Sequence, residues 1–89
     1  MARFEMTGAE MAPFAGSAPN AENLFELGIH YSTGGEGEPD LVEAHKWFNL
    51  AAINGNEEAA YHRQEIAREM TAQAIAAAQR AAREWLRKH

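Results

Sequence analysis

The chain has 89 residues, room for a single domain, and its 46% hydrophobic and 24% charged residues set it apart from disordered chains. It has no cysteine, which excludes disulfides and thiolate metal sites and suits a reducing compartment; no apolar run approaches the about 18 residues that a membrane span needs. The net charge of −5 is unevenly spread, ten acids against two bases over residues 1–62 and three acids against six bases over residues 63–89. The body therefore repels phosphate, while the last part of the chain is mildly basic.

The first segment, MARFEMTGAEMAPF, carries Arg3 beside Glu5 and Glu10 and has no continuous apolar core. A signal peptide is not expected, and cytoplasmic residence follows by default. Residues 1–20 contain Gly8, Pro13, Gly16 and Pro19 without a sustained period. They are expected to form a mobile N-terminal arm ahead of a helical domain at 21–89. Phe4, Met6, Met11 and Phe14 are the arm's sizeable apolar groups and candidate contacts for a partner.

A first helix is expected from about Ala21, where Leu24, Leu27, Gly28 and Tyr31 fall on one helical face. Gly28 on that stripe implies close approach of a neighbour. The run STGGEGEPD ends the helix. Asp40 is placed to cap a second helix, with Glu43 completing a capping box. That helix presents Leu41, Ala44, Phe48 and Ala52, widened by Trp47 and Ala51, and stops at Asn54-Gly55. Asn56 can cap a third helix reaching about Met70, with Glu57 and Glu58 in its first turn. Thr71 then caps a fourth, which sets Ile75, Ala78, Ala82, Trp85 and Leu86 opposite Arg80, Arg83 and Arg87. A single unbroken helix from Glu57 to Arg87 is the alternative, unusually long for so small a domain.

The helical pattern repeats. Phe25 and Tyr61 lie 36 residues apart, and Ala44-His45-Lys46-Trp47 and Ala82-Arg83-Glu84-Trp85 share an Ala-x-x-Trp pattern 38 residues apart. The stretch LFELGIHYSTGGEGEPDLVEAHKWFNLAAINGNEEA resembles a Sel-one-like repeat, a relative of the tetratricopeptide repeat. Its matching positions are Leu27-Gly28-Ile29-His30-Tyr31, Gly35 and Gly37, Asp40, Ala44 and Trp47, Ala51-Ala52, and Gly55. One full repeat covers about residues 23–58. The second unit departs from the pattern, with Arg63-Gln64 where Leu-Gly is expected and no glycine loop, and resembles a degenerate terminal repeat. The ending AREMTAQAIAAAQRAAREWL is similar to C-terminal segments of short bacterial members of this group. The resemblance implies an all-α fold, a short α/α solenoid of about four antiparallel helices. It also implies a repeat core of Leu27, Gly28, Tyr31, Ala44, Trp47, Phe48, Ala51, Ala52 and Trp85, and a scaffolding role toward protein partners.

Candidate chemistry is sparse. The histidines at 30, 45, 62 and 89 are separated by 15, 17 and 27 residues, which is not the spacing of a helical metal pair. His30 and His45 are read as polar-face residues. Glu57-Glu58 and the Glu36-Glu38-Asp40 loop lack the pattern of a calcium loop and are read as cap and solvated-loop residues. Gly34, Gly35 and Gly37 lack the lysine and the preceding strand of a phosphate loop. No reactive set suggests an enzyme, a cofactor or a small-molecule substrate. Arg80, Arg83 and Arg87, with Lys88 beyond, form a face that is either solvated or turned to an acidic protein; nucleic acid is the less favoured reading. The expected function is thus a non-catalytic protein-interaction module or adaptor. The alternative is a small accessory subunit or assembly factor built permanently into a larger complex, including one at a membrane. The exposed end of so short an array also leaves room for a homodimer.

Overall fold

The computed structural model describes residues 20–35 and 37–89; residues 1–19, and with them the arm's Phe4, Met6, Met11 and Phe14, lie outside the described residues. Among the described residues the fold is all-α, with four helices: α1 (Ala21–Thr33), α2 (Leu41–Ile53), α3 (Glu57–Ala67) and α4 (Ala72–Lys88). Among the described residues no helix is long and apolar enough to cross a membrane.

Each helix starts where a short polar side chain takes up an otherwise unpaired N–H. Asn20, Asp40, Asn56 and Thr71 accept from the backbone N–H of Asn23, Glu43, Ala59 and Ala74 at 2.8, 3.1, 2.8 and 3.0 Å. Helix α1 ends at Gly34, whose φ of 92° lies in the left-handed region that glycine enters without strain. Its N–H donates to the His30 carbonyl, and the Asp40 N–H donates to the Tyr31 carbonyl at 2.9 Å. That second bond changes the expected capping box. With the Asp40 N–H already satisfied, Glu43 does not reach back; its carboxylate accepts from Trp47 Nε1 at 3.0 Å and pairs with Lys46 at 3.2 Å.

The chain between Glu57 and Arg87 forms two helices. Helix α3 stops at Ala67, earlier than the Met70 expected from sequence, because residues 68–70 wind into a tighter turn. There the N–H groups of Arg68, Glu69 and Met70 donate to carbonyls three residues back. The tighter winding lets Thr71 take the extended backbone that caps α4.

Helix α2 is the axis of the packing. It lies against α1, α3 and α4, whereas α4 packs on α2 rather than on α3. Its buried residues reflect this: Ala44, Phe48 and Ala51 form a stripe, with His45 and Leu50 buried on its flanks. The core is completed by Leu24 from α1, Ala59 from α3 and Ala82 from α4, with Ala78 also buried. Tyr31, Trp47, Ala52 and Trp85 are half-buried against this core, and Leu27, expected in the repeat core, is half-buried outside it.

Helices α1 and α2 come close at Gly28. A Cβ built on Gly28 would fall inside the contact distance of the Phe48 ring. That ring is fully buried and hemmed in by Phe25, with centroids 5.7 Å apart, and by His62, stacked on it at 5.3 Å. Phe48 therefore has no open side to move toward. Gly28→Ala is expected to gain about 1 kcal/mol of helix propensity and to lose about 1–3 kcal/mol to overpacking. The net result is a lower melting temperature, and a thermal scan showing a rise would contradict the close-contact reading.

Candidate partner-binding surface

Helix α4 joins the body through small and aromatic side chains. Ala78 and Ala82 are buried, and the Trp85 ring stands edge-on to Trp47 of α2 with centroids 5.8 Å apart. The two Ala-x-x-Trp motifs thus meet in space: Ala44 and Ala82 share the core, and Trp47 and Trp85 touch. Small residues allow the two helices to approach, and the indoles fill the wider gap beyond. Lys46 Nζ lies 4.2 Å from the centre of the Trp47 ring, a cation–π contact. At the other end of this layer His89 stacks on Trp85 with centroids 4.3 Å apart, and its N–H donates to the Trp85 carbonyl.

Two shallow depressions flank the exposed side of α4. One runs between α2 and α4 and is lined by Lys46, Ala81, Glu84, Trp85, Lys88 and His89. The other is lined by Arg80, Arg83, Glu84 and Arg87. Glu84 belongs to both and pairs with Arg87 and, at 4.0 Å, with Lys88. These ion pairs are exposed and three or four residues apart on one helix, so they are weak and open to exchange. Arg80, Arg83 and Arg87 are brought together as one exposed row. Lys46 and His89, absent from the set expected from sequence, complete the surface. The repeated Ala-x-x-Trp is the signal that could have found them, since Lys46 precedes one of the two meeting tryptophans and His89 lies one helical turn beyond the other.

The histidines are scattered. His30 is exposed and edge-on to Tyr31, His62 lies between Phe25 and Phe48, and His89 lies on Trp85. Among the described residues no three His, Asp or Glu side chains gather as metal ligands. His45 is not the polar-face residue expected from sequence. It is only 3% exposed, because α2 is enclosed on several sides, and its Nδ1 finds no protein partner. Burial lowers its pKa from 6.5, reinforced by the positive charge of Arg63. The Arg63 guanidinium is held nearby by a hydrogen bond donated to Asn49 Oδ1.

No family model, curated protein or solved structure matches this chain at a significant level.

Two outcomes follow from this geometry. Because the folded state holds His45 with a lowered pKa, the unfolded chain binds the extra proton more readily. The contribution of neutral His45 to stability is complete above pH 6.5 and declines as the pH falls below it. In denaturant titrations across pH 5 to 8, His45→Gln should show a shallower loss of stability on the acid side than the native chain; an unchanged slope would refute the assignment. In a double-mutant cycle, Trp47→Ala and Trp85→Ala should couple by about 0.5–1.5 kcal/mol, the value of an edge-to-face aromatic pair. Additive losses would mean that the two rings act independently.

Proposed function

We propose that this chain is a protein-interaction module of the Sel-one-like repeat type, a non-catalytic adaptor resident in the cytoplasm. The observation that carries the reading is the α1–α2 hairpin. Three of the positions on which the resemblance rests lie at its packed face: Gly28 is covered by the Phe48 ring, and Ala44 and Ala51 are buried on the stripe of α2 that carries Phe48. A hairpin of this kind is stable only when its open sides are covered by neighbours. Helix α4 covers one side and still leaves its own cationic row exposed. Such a scaffold offers a rigid surface with a few exposed anchors, which suits docking of another protein.

A second reading, a subunit built permanently into a larger complex, draws support from three large apolar side chains that remain exposed among the described residues. Ile53 of α2, Tyr61 of α3 and Leu86 of α4 are 59%, 62% and 44% accessible.

The test is crosslinking of the tagged full chain, expressed at its native level in its own cells, followed by mass spectrometry of the captured proteins. A small, reproducible set of partners enriched over a tag-only control is expected. Absence of any enriched protein would sink both readings. Melting of the purified chain separates them: an independent cooperative transition belongs to an adaptor, a broad or concentration-dependent one to a subunit.

A further inference from the structure

We infer that the exposed side of α4, together with the α2–α4 groove beside it, is a docking strip for an acidic protein segment that also carries apolar side chains. The inference rests on the reading of the chain as a protein-interaction module and names its surface and the chemistry of its partner.

Charge is the first argument. Of the seven lysines and arginines among the described residues, five line this one strip: Lys46, Arg80, Arg83, Arg87 and Lys88. Glu84 is the carboxylate that lines it with them, and Glu43 pairs with Lys46 from beside it. The rest of the described chain holds nine carboxylates against two bases. The positive field is therefore local, and its complement is a negatively charged group of limited extent.

Shape and polarity are the second. The arginine row lines one depression, and the α2–α4 groove beside it has Ala81 and Trp85 among its lining residues, together with Lys46 and Lys88. A segment with carboxylates on one face and leucine-like side chains on the next can satisfy the arginine row and the groove together. Partner carboxylates would take over the guanidinium of Arg87 and the ammonium of Lys88 from Glu84, exchanging one exposed ion pair for another.

The strip also selects against nucleic acid. From Arg80 to Lys88 it is about 12 Å long at 1.5 Å per residue. A duplex carries a charge about every 1.7 Å and would continue well past a strip of this length. A short peptide segment does not.

The test is a titration of the ¹⁵N-labelled full chain, followed by amide chemical shifts, with three probes: a glutamate-rich peptide bearing leucines at helical spacing, a polyglutamate of equal charge, and an oligothymidylate of equal charge. The mixed peptide is expected to shift amides of residues 80–89 and the Lys46–Trp47 region. It should bind about tenfold more tightly than either other probe, and more weakly as salt is raised. Arg80→Glu combined with Arg83→Glu alters exposed side chains only, so the spectrum should remain that of the folded chain while binding falls by about tenfold or more. Glu84→Gln, which removes the strip's own carboxylate, should tighten binding. No binding of the mixed peptide, unchanged binding by the double variant, or equal binding of the oligothymidylate or of polyglutamate would overturn the inference. So would shifts confined to another face, although that result would leave the interaction-module reading intact. The interaction-module reading fails separately, if crosslinking in cells captures no partner.

Discussion

The arrangement depends on one ring. Phe48 lies where α1, α2 and α3 converge: it covers the bare backbone of Gly28, is tilted against Phe25 and carries His62 stacked on its face. Burying a phenylalanine is worth about 1.5–3 kcal/mol, a large share of the stability a domain of this size can hold. Because the ring touches three helices, that free energy depends on all three being in place. The loop bond from the Asp40 N–H to the Tyr31 carbonyl then fixes how α2 turns back along α1, and the register that brings Phe48 to Gly28 is set.

The other end of the fold is held differently. Helix α4 reaches the core with alanines and meets α2 through one indole pair, Trp47 and Trp85. A joint made of small residues uses only one side of the helix and leaves its charged side free of structural duty. The arginine row and the groove beside it are exposed for this reason. The acids that outnumber the bases elsewhere give the strip its contrast. A structural requirement, close approach by alanines, and an exposed cationic row are thus carried on opposite sides of one amphipathic helix.

Burial of His45 shows how a central helix differs from a peripheral one. On a helix covered along one stripe, position 45 would face water and an imidazole would be unremarked. With α1, α3 and α4 all against α2, the side chain is enclosed, its Nδ1 is left without a protein partner, and Arg63 stands close enough to oppose its protonation. The low tolerance for charge at this point is the cost of using one helix as the axis of the packing.

The sequence by itself determined the local structure. Asn20, Asp40, Asn56 and Thr71 start helices because each offers a side-chain oxygen to an unpaired N–H, and Gly34 ends one because it can adopt a left-handed backbone. Those effects act within four residues, so their signature is local and legible. The apolar stripe of α1 and α2 and the arginine row of α4 were likewise visible, since helical period alone puts such residues on one face. Tertiary structure decided what local rules do not reach. It set the seat of α4 on α2, the enclosure of His45 and Leu50, the turn of Glu43 toward Trp47 and Lys46, and the meeting of Lys46, Trp85 and His89 around one groove. Each of these joins residues from separate helices or answers to a bond formed elsewhere. Only the packed chain, in which every helix competes for the same buried faces, selects among the partners that the sequence leaves open.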